Sequence, residues 1–457
     1  MTLTAHELGS GPVHTQERDP VSILVAQDRN RLQDLIPVRH QRMAVTPFTF
    51  FRGAAALMAA DLASVPHSGI RTQLCGDAHL SNFGLFLSPE RQMVFDLNDF
   101  DEAYPGPFEW DVKRLAASMA VAARANGADD RDARRAARRA ARAYRRTIIT
   151  SAQQSVLDCW YDKVDVDKVL AEIGDLLDTT ASRNMRKILK KARHRNSEQA
   201  LAKLCVVEDG RLRIKNDPPL LIPAEEVFVR APAAYVHEMF AERFERYRAG
   251  IAPHLGTLLD QYTFVEAARK VVGVGSVGTR CWIMLFVGKE NGDPLFLQLK
   301  EAQESVLAPY VDPVDFDNQG RRVVIGQQLM QASSDVLLGW LRGPVYASDD
   351  RGVARGAAGE SDFYVRQLRD GKGSVVVEGM PVDRLSLYGE LCGTVLAQAH
   401  ARTAARGEIA DYVDGLGKSF DRAIADWSLR YAELNDADHA KWVEAVSTGA
   451  ISAAAMD

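Results

Sequence analysis

Cys75-Gly76-Asp77-Ala78-His79-Leu80-Ser81-Asn82-Phe83-Gly84, followed by Phe95-Asp96-Leu97-Asn98-Asp99-Phe100-Asp101, is the stretch on which the reading of this chain turns. Apolar residues lead into it, and an Asp and an Asn stand five positions apart in a short loop. A hairpin fits next, with Leu85-Phe86-Leu87 and Met93-Val94-Phe95 flanking a turn at Ser88-Pro89-Glu90-Arg91, and it ends on a cluster of acids. Phosphoryl transfer asks for such a set. One carboxylate orients or deprotonates an acceptor hydroxyl, an amide oxygen holds a metal, and a second carboxylate holds metal on the phosphates. A purely structural reading makes Asp77 and Asn82 turn-formers. It leaves the acids at 96–101 unexplained, because crowded carboxylates repel unless a metal or base compensates.

Such a site also needs a phosphate-cradling loop and a lysine, and the candidates come about two hundred residues later. Val271-Val272-Gly273-Val274-Gly275-Ser276-Val277-Gly278-Thr279-Arg280 contains G-x-G-x-x-G, a weak motif alone. A dinucleotide-binding turn opens a helix after its last Gly. Here Cys281 to Val287 is a compact apolar run, Asn291-Gly292 is a turn signal, and Pro294-Leu295-Phe296-Leu297-Gln298-Leu299-Lys300 is a further strand. Strand, Gly loop, strand, turn, and a strand ending in Lys is how kinases cover ATP phosphates and reach them with an ammonium. The alternative is a β-meander with glycines and a surface lysine. Kinases pair that lysine with a Glu on the following helix. The expected helix, Gly320 to Ser333, carries Gln327 and Gln328 but no acid, which leaves Glu301 and Glu304 as substitutes.

At 457 residues the chain exceeds one typical core, so two or three lobes are expected. The net charge of −5 gives no global reason for nucleic acid or an anionic membrane as partner. Five cysteines lie far apart without a CxxC pattern, which reads as reduced thiols in a cytoplasmic protein. No apolar run reaches the ~18–20 residues that span a bilayer.

Residues 1–20 read as a flexible, loosely docked tail. Thr46 before Pro47 is a helix N-cap candidate, and the helix that follows carries Arg52 on an otherwise apolar stretch. Arg52 is read either as a snorkelling or ion-paired arginine, or as a phosphate or carboxylate contact in the site. Glu109-Trp110-Asp111 opens a helix to about Ala125. Arg131 to Arg146 sets eight arginines against an alanine face, which favours a solvated basic face over a patch for an acidic substrate, RNA or protein. Residues 150–260 read as largely helical, with a second basic run at Arg183 to Arg195. A helix from Asp383 to about Arg402 carries His400, read as a satisfied helix-end histidine rather than a catalytic group.

Over about residues 20–451 the chain resembles the bacterial family labelled domain of unknown function 2252. The likeness is carried by Thr46-Pro47-Phe48 through Ala56, Cys75 to Gly84, Asp96 to Glu102, Trp110 to Leu115, Val274 to Arg280 and His400-Ala401-Arg402. A second resemblance is to aminoglycoside-phosphotransferase-like kinases. Their His-Gly-Asp loop with an Asn five residues on, hairpin, and Asp-Phe/Trp-Asp/Glu are matched by Gly76-Asp77, Asn82 and Asp99-Phe100-Asp101, with Cys75 replacing the leading His. That resemblance implies Asp77 as the base or acceptor-orienting residue, Asn82 and Asp99 as Mg²⁺ ligands, and Asp101 as a helper to the metal. It implies Gly273, Gly275, Ser276 and Gly278 over the phosphates of ATP, with Lys300 on them.

The order is inverted relative to such kinases, so the fold expected is α+β, bilobal and circularly permuted. A catalytic-loop part of a helical lobe (21–150) is followed by a helical subdomain (151–262). A nucleotide-binding β lobe (263–375) comes next, and C-terminal helices (376–451) complete the helical lobe. The expected activity is ATP- and Mg-dependent phosphate transfer to a small-molecule or protein hydroxyl. A nucleotide-binding pseudokinase, an adenylyl transferase and a dinuclear metal phosphoesterase using Asp77, His79, Asn82 and the acids at 96–101 are the other readings.

Overall fold

The computed structural model describes residues 3–12, 18–167, 189–190, 197–290, 292–345, 359–368 and 371–454. The second basic run falls almost wholly outside them, as does Asn291 of the expected turn. No helix among the described residues is long and apolar enough to cross a membrane.

Strand β1 (Arg71–Leu74) leads into the Gly-Asp loop, and the expected hairpin follows as β2 (Phe83–Leu87) and β3 (Met93–Leu97), paired Phe83↔Leu97 to Leu87↔Met93. Strand β4 (Tyr104–Pro107) then returns antiparallel to β1, with Leu74 opposite Tyr104. That pairing closes residues 75–103 into one loop and sets the acidic segment against the Gly-Asp segment. Gly76 lies at the contact with φ of 81°, and a Cβ there would come 2.1 Å from the Glu102 carbonyl oxygen, so no other residue fits.

The Phe108–Ala125 helix is buried around nearly its whole circumference, as expected of an element enclosed by other helices. It packs against the Asp130–Ala152, Val382–Ala401 and Lys418–Ser447 helices. The alanine face of the arginine-rich helix lets the Val382–Ala401 helix approach so closely that a Cβ at Gly393 would meet the Ala140 carbonyl at 2.3 Å. Its arginines turn back onto neighbouring helices, as Arg134–Asp426, Arg139–Glu390 and Arg145–Asp421 pairs. The basic stripe is therefore internal electrostatic stapling over much of its length.

Short strands follow: β5 (Val164–Asp165) on β3, and the hairpin β6 (Cys205–Glu208) and β7 (Arg211–Ile214). A six-stranded antiparallel sheet is built from β8 (Leu221–Pro223), β9 (Tyr262–Lys270), β10 (Cys281–Gly288), β11 (Pro294–Ala302), β12 (Gly339–Val345) and β13 (Gly359–Gln367), in the order β12-β13-β11-β10-β9-β8. Alternation along β11 sends Leu297 and Leu299 to one face, under Phe240, Phe244 and Tyr247 of the Ala233–Gly250 helix. Phe296 lies on the other face with Ile283 and Leu285, against the Ser197–Leu204 helix and the β6–β7 hairpin. Strand β14 (Gly373–Ser374) then joins β2, which ties the segment after β13 to the β2–β3 hairpin.

Two expectations need correction. Segment 151–262 is not wholly helical: three short strands lie in 205–223, one of them completing the six-stranded sheet, and its longest described helix covers that sheet. Strands of three or four residues are too short to show a periodicity among charged neighbours. The N-terminal segment is not a loose tail over its described residues. Leu3 and Leu8 are buried in the main core, and Arg18 bridges Asp61 and Asp438.

Candidate active site

The Gly-Asp loop is held from below by the buried Phe108–Ala125 helix. Asp111 accepts hydrogen bonds from the Cys75 (2.8 Å) and Gly76 (3.1 Å) amides. Its carboxylate also lies 3.3 Å from His400 Nε2, whose Nδ1 meets the Tyr144 hydroxyl at 2.7 Å. His400 is thus a satisfied buried histidine, as its place near a helix end suggested. One turn further along the helix, Arg114 donates through Nε to Asp77 Oδ1 at 2.8 Å and to the Phe51 carbonyl through Nη2. Burial raises the Asp77 carboxyl above its ordinary range, with the Arg114 charge and hydrogen bond opposing. His79 accepts the Ser81 amide at Nδ1, so its proton sits on Nε2, 3.5 Å from Asp77 Oδ2. Burial holds that imidazole well below its usual pKa, so it is neutral.

The acidic segment is tied to this loop through the Asn98 amide, which donates to the Asn82 carbonyl (3.0 Å), while Asn82 Nδ2 donates to the Asp77 carbonyl (2.7 Å). Its acids have distinct fates. Asp96, at the end of β3, caps its own neighbour Leu97 and is raised by burial to about 6. Asp99 has one buried carboxylate oxygen with no hydrogen-bond partner, and burial followed by the Asp101 charge raises it. Asp101 accepts from the Tyr364 hydroxyl at 2.8 Å and is ion-paired to the Lys300 ammonium. Burial would raise it, but Lys300 and Tyr364 hold it down at about 2.

Glu102 is raised by burial to about 7, against a 2.7 Å bond from the Val306 amide. The folded chain therefore keeps this proton to higher pH than the unfolded chain, whose ordinary value is 4.5. Stability contributed here falls as pH rises through that window. Glu102→Gln is expected to be more stable than the parent by about 1–3 kcal/mol at pH 8 and to match it near pH 4.5. Urea unfolding at the two pH values measures this, and a pH-independent difference would contradict it.

The glycine-rich loop joins β9 to β10 as expected, and Lys300 lies on β11 opposite Cys281 of β10 and Tyr364 of β13. Its ammonium donates to Ser276 Oγ at 2.8 Å. The loop is braced by side chains that the sequence did not single out. Arg31 donates to the Gly275 (2.8 Å) and Val277 (2.6 Å) carbonyls, and Arg42 to the Gly273 carbonyl (2.6 Å).

Asp77, Asn82, Asp99, Asp101, Gly273, Gly275, Ser276 and Lys300 all line one cavity of about 550 Å³. Gly278 does not line it. With φ of 90° it packs against the Arg31 side chain, and its carbonyl accepts from the Leu32 amide. Arg52 lines the same cavity, with its buried Nε unpartnered and the Asp77 and Asp99 charges acting on it. Lys300 finds its carboxylate in Asp101 on the acidic loop, not in the helix after β11. That helix, Gln319–Met330, contributes Arg322, which donates to the Asp101, Ala103 and Gln303 carbonyls. Glu301 is taken by Arg280.

No group of three His, Cys, Asp or Glu side chains suited to a metal occurs among the described residues. The orphaned Asp99 oxygen is nevertheless an unmet demand for a cation. Mg²⁺ on phosphates takes only one or two carboxylates from a protein and completes its shell with water and phosphate oxygens.

A family model described as "Uncharacterized protein conserved in bacteria (DUF2252)" matches residues 31–445. No curated protein and no solved structure matches the chain. The matched span contains Arg52, Asp77 and Lys300 of the cavity wall. The chain belongs to this bacterial family, DUF2252.

Proposed function

We propose that this chain is an ATP- and Mg-dependent phosphotransferase that acts on a hydroxyl of a small molecule or protein. One observation carries the reading. Lys300 and the glycine-rich loop, expected to hold phosphates, line the same cavity as Asp77, Asn82 and Asp99, about two hundred residues away in sequence. The β9–loop–β10–β11 succession with its lysine and following helix supports a kinase-like nucleotide lobe, and its place after the Gly-Asp loop supports a permuted chain order.

In this mechanism Lys300 and Arg52, which line the same cavity, neutralise phosphate charge, and the Gly275–Ser276 segment closes over it. Asp77 accepts the proton of the acceptor hydroxyl. Its raised pKa brings it nearer the operating pH, and Arg114 fixes its orientation. Asp99 would hold Mg²⁺, with Asn82 and Asp101 on the same wall. When bound there, Mg²⁺ would neutralise phosphate charge. The resting Lys300–Asp101 pair must loosen or be shared when phosphates enter, and Tyr364 keeps Asp101 in place as it does.

A second reading, a nucleotide-binding pseudokinase, is favoured by the absence of any acid on the Gln319–Met330 helix. Calorimetric titration with ATP, with and without Mg²⁺, tests both. Mg-dependent binding is expected for the native chain, with a loss of at least about tenfold in Lys300→Met, consistent with a charge-assisted contact. No binding under either condition removes both readings. Transfer of γ-label to an acceptor then separates kinase from pseudokinase, and transfer of α-label would mark an adenylyl transferase instead.

A further inference from the structure

The phosphate-side machinery leaves open where a nucleobase would rest. A base is a flat π-surface that gains most from an apolar or aromatic platform. The described residues 371–381, which follow β13, carry no aromatic ring. Beside them lies a separate cavity of about 220 Å³ that shares no lining residue with the large one and is lined by Arg366, Lys372, Gln298 and Gln331 together with Phe86, Leu85, Leu87 and Val336. That volume is below the ~300–1,000 Å³ usual for small-molecule pockets. The large cavity falls within the usual range, and its charged lining includes Arg31, Arg52, Asp77, Asp99, Asp101 and Lys300.

One edge differs. Ala55 and Ala56, at the start of the Ala55–Ala63 helix, line it together with Pro309 and Tyr310 of the short 3-10 turn Ala308–Tyr310. Apart from His79, which is buried beside Asp77, Tyr310 is the only ring on this wall among the described residues. It is 42 % exposed, so a large part of its surface is free for a ligand. Its backbone is fixed by the Tyr310 amide donating to the carbonyl of buried Leu307 at 2.9 Å. The side chains of Ala55 and Ala56 on the same cavity wall are small.

We infer that the base of the bound nucleotide stacks on Tyr310, at the edge formed with Pro309, Ala55 and Ala56, and not beneath residues 371–381. This rests on the nucleotide reading above and adds to it a base-binding residue and a direction for the ligand. The ring supplies a face and not a hydrogen-bonding pattern, so the site accepts purine bases by stacking and discriminates weakly between them.

The test titrates the full chain, as native, Tyr310→Ala and Tyr310→Phe, with Mg-ATP and with Mg-tripolyphosphate, which has the phosphates and no base. Tyr310→Ala is expected to weaken ATP about tenfold and leave tripolyphosphate unchanged, while Tyr310→Phe keeps both affinities. Equal ATP affinity in Tyr310→Ala overturns the inference and leaves the nucleotide reading standing. An equal loss for both ligands also overturns it, because the ring would then act through the fold. If the native chain binds neither ligand, the nucleotide reading fails and the inference falls with it.

Discussion

Asp77→Asn is expected to lower turnover by about 10²–10⁴-fold while Mg-ATP affinity stays within about threefold of the native value. The two side chains have the same shape, so the loop need not move. The Asn oxygen can still accept from Arg114 Nε. Arg114 also keeps its bond to the Phe51 carbonyl and its place over the Phe51 ring, 3.9 Å from the centroid. What is lost is the ability to accept a proton from the acceptor. Arg114→Lys provides the companion measurement. Arg114 opposes the upward push of burial on Asp77, so a shorter, single-pronged cation should let that carboxyl rise further. The group must be ionised to act as base, so the acid limb of the pH–rate profile should move to higher pH in Arg114→Lys. Unchanged turnover in Asp77→Asn, or loss of ATP binding with the fold intact, would remove Asp77 from the base's role.

The parts of the site that could be read in the sequence are those whose chemistry is local. Asp77 and Asn82 share one short loop, the hairpin is marked by alternation and a turn, and Lys300 ends a strand after a glycine loop. What could not be read depends on pairing between distant segments. The partner of Lys300 is Asp101, brought there because β4 returns along β1 and because Arg322 grips the carbonyls around it. No spacing rule connects residues 101, 300 and 322. Arg31 and Arg42 hold carbonyls of the glycine loop from more than two hundred residues earlier, and isolated arginines in polar segments carry no periodic signal. Arg52 did carry a signal, a charge on an apolar helix, and it lines the cavity. Gly278 shows the reverse: its motif position suggested phosphate, but its positive φ serves the turn that seats Arg31.

Asp111→Ala is expected to be the most destabilising single change at the site, costing about 3–5 kcal/mol in chemical unfolding. Asp111 is buried and accepts two main-chain amides at the start of the Gly-Asp loop. Truncation leaves both N–H groups without acceptors, at roughly 1–3 kcal/mol each, and deprives His400 of one of its two partners. Asp111→Asn retains one acceptor oxygen for two donors, so an intermediate loss is expected. Well below the unfolding midpoint, both variants should also lose turnover, because Asp77 is only two residues from the released amide at Cys75. A displacement of about 1 Å at a reacting group can cost on the order of 10²-fold. Asp111→Ala with native stability would show that the loop is held by its other contacts. The contrast with Asp77→Asn separates two duties that fall on carboxylates at one loop: Asp77 should affect turnover with little effect on folding, whereas Asp111 should affect turnover only through the position of the chain it holds.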